Sequence, residues 1–234
     1  MQIVARADAA YGAPNLRLDG GTALAAYYLH HRESEDLDFF SDPGLNAPIF
    51  GDAVREMAAA EGVLLEPFGG RSLGMVTYTA HADSAPEQGV KLQFAVQSPF
   101  RLERLEDTAE GIRVSSFRDI CAGKLHAVCD RLAHRDFYDL YVIVTEGRPV
   151  AALEESAVRI RFRSLLADVM EIDPGLTPFS VGQAIARGLD RPIISAIELK
   201  LLIPVQEHEI QTLLRHCIAE CAAQAAGTAP PGGG

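Results

Sequence analysis

The chain has 234 residues, of which 48% are hydrophobic and 23% charged, a balance that excludes a disordered chain and allows a sizeable core. The formal charge of −11 excludes a protein that coats nucleic acid through general basic charge. No apolar run approaches the roughly 20 residues that cross a bilayer, the first ten residues do not resemble a signal peptide, and four cysteines are too few for a disulfide framework. We therefore expect a soluble cytoplasmic protein.

The first half of the sequence alternates between strand and helix patterns. A short strand (LRL, 16–18) leads into Gly20-Gly21-Thr22, and Thr22 is the predicted N-cap of an Ala- and Leu-rich helix over 23–31. The segment DLDFFS (36–41) alternates polar and apolar residues, as a half-buried strand does. A helix at 50–61 and strands at 63–68, 74–81 and 90–97 complete the predicted elements.

The second half of the sequence is helical in character. Ser116-Phe117-Arg118-Asp119 is a capping-box start, a second helix is predicted at 136–145, and the pattern stays helical from Val150 onward. The fold class is therefore α+β, with a core over 1–115 and a helical region over 116–227. The last segment, TAPPGGG (228–234), is predicted to be a disordered tail.

The glycine pair at Gly20-Gly21 lies between a predicted strand and a predicted helix. Glycine lets the backbone approach a ligand closely, and a helix N-terminus offers N–H groups to an anion. A packing turn explains the same residues, so phosphate binding and packing both remain open here.

Asp36 and Asp38 are two residues apart on a predicted strand. Both side chains therefore point to one face, roughly 7 Å apart. Hard oxygen ligands at this spacing suit Mg²⁺, whose remaining positions are filled by phosphates and water. The alternative is a pair of solvated aspartates at the end of a strand.

In the segment KLHAVCDRLAHRDFYD (124–139), four of the six charged residues form two pairs at helical spacing. Lys124 and Arg131 are seven residues apart on one helix, and Asp136 and Asp139 share a face of the next. The alternative to a functional role is a set of surface ion pairs, with Asp136 as a favourable charge at a helix N-terminus.

Taken together, four motifs resemble the AbiEii/AbiGii-type toxins, a family of nucleotidyltransferases within the DNA polymerase β-like superfamily. The first two motifs fall on Gly20, Gly21, Thr22, Leu24, Arg32, Ser34, Asp36 and Asp38. The later two fall on Lys124, Leu125, Ala127, Arg131, Arg135, Asp136, Asp139 and Leu140. The match spans residues 16–145, and beyond it the chain resembles the family only in being helical.

The resemblance implies a nucleotidyltransferase-fold enzyme that uses Mg²⁺ and an NTP. Asp36 and Asp38 would ligate the metal, and Lys124 would contact the triphosphate. The implied catalytic residues are Asp36, Asp38, Lys124 and Asp139. The implied nucleotide-binding residues are Gly20, Gly21, Thr22, Arg32, Ser34, Lys124, Arg131 and Asp136.

The resemblance also implies a biological role, and the chain departs from the superfamily at two points. The acceptor would be RNA, with a tRNA end as the leading candidate, and the protein would be the toxin of a type IV toxin–antitoxin pair with a cognate antitoxin and no membrane partner. Only 15 residues precede the first strand, so we expect an abbreviated leading helix. Superfamily enzymes also usually carry a third carboxylate on a later strand, where this chain has Gln93. Two other functions therefore stay open: a non-catalytic nucleotide sensor, and a protein-interaction module, which intact Asp36, Asp38 and Lys124 disfavour.

Overall fold

A mixed β-sheet and a group of helices account for the two units into which the chain divides in the computed structural model, which describes residues 1–82, 85–197 and 200–228. Unit 1 consists of Met1–Ala26 and Ser34–Ser116. Unit 2 consists of Tyr27–Glu33 together with the described residues from Phe117 onward. The division differs from the predicted regions in that Tyr27–Glu33 is part of the helical unit. No described helix is long and apolar enough to span a membrane.

Unit 1 contains a seven-stranded sheet in the order β3-β4-β5-β2-β1-β7-β6. β2 is antiparallel to β1 and parallel to β5, so it lies between these two strands. The elements are α1 (Gln2–Tyr11), β1 (Arg17–Asp19), α2 (Gly20–Ala23), β2 (Asp36–Ser41), α3 (Ala47–Ala59), β3 (Val63–Pro67), β4 (Met75–Ala82), β5 (Ala85–Val96), β6 (Glu106–Asp107) and β7 (Arg113–Val114).

The core of unit 1 forms where α3 packs on the sheet. Phe39 of β2 stacks on Phe94 of β5 with ring centroids 5.6 Å apart, and Phe50 of α3 meets Phe94 edge-on at 5.1 Å. Because side chains alternate along a strand, burial of Phe39 places Asp36 and Asp38 on the opposite face of the sheet. Asn46 caps α3 by accepting a hydrogen bond from the Ile49 amide at 3.2 Å.

Unit 2 is built from helices whose apolar faces pack together. Phe137, Phe162, Val169 and Leu213 are fully buried. Arg159 and Arg163, in the helix over Glu155–Ile172, both pair with the buried carboxylate of Glu220. The helices are α4 (Phe117–Asp130), α5 (His134–Thr145), α6 (Glu155–Ile172), α7 (Pro178–Ala186) and α8 (Glu207–Thr228).

The α+β class and the helical character of the second half are confirmed, and β2 has the predicted bounds. The predicted N-cap at Thr22 is wrong: α2 begins at Gly20, three residues before the predicted start, with Asp19 as its N-cap. A π-helix (Leu24–Leu29) follows α2. The leading helix is α1, of ten residues. Beyond Thr228, the predicted disordered tail lies outside the described residues.

Candidate functional site

A row of polar side chains crosses the sheet of unit 1. Asp38 of β2 is the direct neighbour of Asp19 on β1 and of Gln93 on β5. Asp36, two residues earlier on β2, is the neighbour of Lys91. Directly paired residues in a sheet point to the same face, so these five side chains share the face opposite the core. We call Asp19, Asp36 and Asp38, all partly exposed, the carboxylate face.

The turn that follows β1 closes tightly onto this face. Asp19 accepts hydrogen bonds from the Gly20 amide and from the Ser115 hydroxyl. Gly20 has φ +70°, and a Cβ built on it would lie 3.1 Å from Oδ2 of Asp38. A side chain at this position is therefore disfavoured by both backbone conformation and space, and the glycine lets the turn reach the Asp38 carboxylate.

The start of the helix after the turn is tied to β2 by Thr22. Its hydroxyl lies 2.8 Å from Oγ of Ser34 and donates to the carbonyl of Asp36. Thr22 thus holds the turn against the carboxylate strand instead of capping the helix. The predicted residues Gly20, Gly21, Thr22, Ser34, Asp36 and Asp38 therefore all lie in this part of unit 1.

The carboxylate face fits a magnesium ion that is shared with a substrate. Mg²⁺ is usually bound through one or two carboxylates, with phosphates and water completing its octahedron. Asp36 and Asp38 supply such a pair, whereas the two oxygens of Asp19 accept from Gly20 and Ser115. Among the described residues no group of three His, Cys, Asp or Glu side chains could hold a metal ion. The donor set therefore suits a metal that phosphates help to bind.

Unit 2 contains a second charged group, centred on Asp139. Arg32 donates to Asp139 through two nitrogens, Nε at 2.7 Å and Nη2 at 2.9 Å. Nζ of Lys124 lies 2.7 Å from the same carboxylate, and Nε2 of His31 lies 2.8 Å from it. Asp139 and His31 are 0% exposed, so the interactions are fully desolvated.

Lys124 also links Asp139 to Asp136. Its Nζ lies 3.1 Å from Oδ1 of Asp136, and Arg131 holds Asp136 from the other side through Nε at 2.7 Å and Nη2 at 2.9 Å. The Lys124 and Asp136 side chains are buried, whereas 48% of the Arg131 side chain is exposed. We call His31, Arg32, Lys124, Arg131, Asp136 and Asp139 the buried ion network.

Opposite charges keep both aspartates of the network ionised. Burial raises the pKa of Asp139, but the charge of Lys124 and the hydrogen bonds from Arg32 and His31 outweigh it and hold that pKa well below the ordinary value. Burial acts in the same direction on Asp136, where the Arg131 bond and the Lys124 charge lower the pKa. The network thus holds two ionised carboxylates among three basic side chains in a largely buried position, and it is not a set of surface ion pairs.

The structure separates the predicted site residues into these two groups. Arg32, Lys124, Arg131, Asp136 and Asp139 lie together in unit 2, and the other predicted residues lie in unit 1. Within the network, Asp139 contacts three side chains and is fully enclosed, a geometry typical of a positioning residue. The roles assigned to individual residues remain predictions.

Sequence reasoning missed two residues of these groups. Asp19 could have been found, because an Asp before a Gly-Gly turn is a good N-cap. His31 carries no such signal. Its contact with Asp139 joins residues 108 positions apart, and His31 Nδ1 has no hydrogen-bond partner within the described residues.

Comparisons with known proteins agree with this architecture. The sequence model of the family described as nucleotidyl transferase AbiEii toxin, type IV toxin–antitoxin system, matches residues 2–223. The crystal structure of JHP933 from Helicobacter pylori matches with a TM-score of 0.52 and 19% identity over 97% of this chain and 91% of that one. MenT4, a nucleotidyltransferase toxin from Mycobacterium tuberculosis H37Rv, matches with a TM-score of 0.56 and 20% identity over 94% of this chain and 81% of that one. A search of curated proteins gave no significant match.

Proposed function

The chain belongs to the AbiEii family of nucleotidyltransferase toxins, and on that premise we propose that it transfers a nucleotide from an NTP to an RNA acceptor in an Mg²⁺-dependent reaction. The observation that carries the proposal is the position of Asp36 and Asp38 on one face of β2, with the Gly20 turn closing onto Asp38. The arrangement supports the proposal, because two carboxylates of the kind that bind Mg²⁺ lie beside a turn whose backbone N–H groups can face a phosphate.

The proposed reaction is a displacement at the α-phosphorus of the NTP. The acceptor hydroxyl oxygen forms a bond to that phosphorus, and the bond from it to the oxygen bridging to the β-phosphate breaks. Pyrophosphate leaves with the bonding electron pair, and the hydroxyl proton passes to solvent. Gly20, Gly21 and Thr22 hold the β- and γ-phosphates, and Ser34 supports Thr22 through their contact.

A magnesium ion bound by Asp36 and Asp38 would polarise the α-phosphate and stabilise the charge on the departing pyrophosphate. The residues of the chain position the substrate. Asp19 fixes the turn by accepting from the Gly20 amide, so the phosphate-binding groups are positioned before substrate arrives.

The buried ion network supplies the charge that a triphosphate needs. Lys124 is the proposed triphosphate contact, held in place by Asp136 and Asp139. Half-exposed Arg131 is a second proposed nucleotide contact of the network. The ammonium of Lys124 is a compact point charge, which suits a phosphate oxygen.

In the cell we propose that this activity makes the protein the toxin of a type IV toxin–antitoxin pair, acting in the cytoplasm on a tRNA end. Family membership supports the toxin role. The net charge of −11 excludes a protein that coats RNA through general basic charge, so the proposed RNA contacts are confined to the site. The cognate antitoxin is the second proposed partner.

The test is transfer of label from each α-³²P NTP to total RNA, with Mg²⁺ or with EDTA, followed by gel electrophoresis. We expect a labelled RNA band with one or more NTPs, its loss in EDTA and its loss in Asp36→Asn and Asp38→Asn. Asp190→Asn, the same change at an exposed residue, serves as the matched control. Transfer at the wild-type rate in both site variants would contradict the metal assignment.

One observation favours a second function. The β5 neighbour of Asp38 is Gln93, whose amide cannot take a proton from an acceptor. If the protein is a nucleotide sensor of the same fold, the wild-type chain binds an NTP but transfers no nucleotide to an acceptor. Transfer gained only in Gln93→Asp would favour this sensor function.

A further inference from the structure

Strand β5, which borders β2 on the side away from β1, carries two polar side chains that have no role in the proposed reaction. Lys91 and Gln93 of β5 are the direct neighbours of Asp36 and Asp38, and both are partly exposed. Within the described part of the chain, the Lys91 ammonium and the Gln93 side-chain amide make no hydrogen bond or ion pair. They are therefore available to a ligand on the carboxylate face.

The sheet order assigns these residues to one side of the reaction. β2 lies between β1, which leads into the Gly20 turn, and β5. In an in-line displacement the attacking and leaving groups lie on opposite sides of the phosphorus. If the turn after β1 holds the leaving phosphates, the acceptor approaches from the side of β5.

We propose that β5 forms the acceptor subsite, in which Lys91 binds a phosphate of a nucleic-acid acceptor and Gln93 hydrogen-bonds the attacking hydroxyl. The inference rests on the proposed function and extends it by naming the acceptor contacts. An ammonium at this position attracts a phosphate and repels a cationic acceptor such as an amino sugar. The Gln93 amide orients a hydroxyl through its carbonyl oxygen and leaves the proton to solvent.

The experiment measures the steady-state kinetics of transfer for wild type, Lys91→Met, Lys91→Arg and Lys200→Met, with unfractionated tRNA as the acceptor. Lys200→Met is the matched control, because Lys200 is an exposed lysine that pairs with Glu33. We expect Lys91→Met to raise the KM for tRNA about tenfold, since one charge-assisted contact is lost, and to leave the KM for NTP within about twofold. Lys91→Arg should recover most of the tRNA affinity.

Salt dependence gives a second readout that a purely structural role would not change. In Lys91→Met the slope of log KM for tRNA against log salt concentration should fall by about one, the value for one lost phosphate contact. A folded Lys91→Met with the wild-type KM and slope for tRNA overturns the inference and leaves the proposed function intact. A raised KM for NTP instead places Lys91 on the donor side and also overturns it. Absence of transfer in wild type, with NTP binding retained, overturns both proposals.

Discussion

The carboxylate face and the buried ion network use the same residue type in opposite environments. Asp36 and Asp38 are two like charges on one face of a strand and are partly exposed, whereas Asp136 and Asp139 are 0% exposed and held by Arg32, Lys124 and Arg131. The first arrangement keeps its carboxylates within reach of a ligand. The second compensates its charge within the protein.

This difference separates function from stability. Removing one partner of a buried ion pair leaves an uncompensated buried charge, which is strongly destabilising. Removing one of two neighbouring like charges on an open face relieves repulsion and costs the fold little. The two regions should therefore respond in opposite ways to the same substitution, Asp to Asn.

The largest effect on stability is expected for Asp139→Asn. The change leaves Arg32 and Lys124 buried against a neutral amide, and we expect the free energy of unfolding to fall by about 3–5 kcal/mol. Urea unfolding followed by circular dichroism measures it, with Asp190→Asn as the control. A loss below about 1 kcal/mol would mean that the network does not stabilise unit 2.

His31 tests how much one hydrogen bond to Asp139 contributes to the stability of the network. His31→Leu removes the hydrogen bond to Asp139 and should lower the free energy of unfolding by about 1–3 kcal/mol. His31→Gln keeps a donor of similar reach and should recover much of that loss. Equal unfolding free energies for the two variants would show that packing against Tyr138, whose ring stacks on His31 at 5.6 Å, dominates instead.

Asp42 extends the comparison to a compensated carboxylate in unit 1. The hydrogen bond from Arg101 is the largest effect on the pKa of Asp42. Together with the bond from Asn15 it outweighs burial, which raises the pKa, and lowers that pKa to about 2. Because the folded pKa is below the ordinary value, the contribution of Asp42 is fully present above about pH 4 and is lost as the pH falls through 2. Wild type should therefore exceed Asp42→Asn in unfolding free energy by a constant amount from pH 5 to pH 8, and by less at pH 3.

Urea unfolding at pH 7, 5, 4 and 3 measures the difference for Asp42. Asp190→Asn, at an exposed residue, is the control for the general effect of removing an acid. A difference that stays the same down to pH 3 would contradict the ion pairs with Arg17 and Arg101 as the source of its stabilisation.

The carboxylate face was largely predictable from the sequence, because its geometry is local. Alternation along a strand puts Asp36 and Asp38 on one face whatever surrounds them, and a Gly-Gly turn follows a strand in only a few ways. What the sequence could not give was the register that pairs Asp38 with Asp19 and Gln93, since this depends on which strands become neighbours. The error at Thr22 arose locally, because Asp19 was available as a better-placed cap.

The buried ion network was not predictable in the same way. Charges at helical spacing are usually solvated, and nothing in the segment from Lys124 to Asp139 shows that Arg32, 107 residues before Asp139, covers its carboxylate. The inclusion of Tyr27–Glu33 in the helical unit creates this contact, and no local pattern indicates it. Sequence motifs therefore selected these residues as candidates, and tertiary packing decided that they form a buried group.

The smallest effect on stability is expected for Asp36→Asn and Asp38→Asn. Each change removes one of two like charges, so the free energy of unfolding without metal should stay within about 0.5 kcal/mol of wild type or rise slightly. The same urea unfolding experiment measures this. A loss comparable to that of Asp139→Asn would show that the two regions do not differ in how they hold charge.

The most direct test of this division is the unfolding temperature of wild type, Asp38→Asn and Asp190→Asn, each with and without Mg²⁺ and the NTP that supports transfer. A ligand that binds only the folded state stabilises it by about 2.7 kcal/mol at one hundred times its dissociation constant. Wild type and Asp190→Asn should rise in unfolding temperature by several degrees, and Asp38→Asn should stay near its ligand-free value. An equal rise in all three proteins would contradict the assignment of the Mg²⁺–nucleotide site to the carboxylate face.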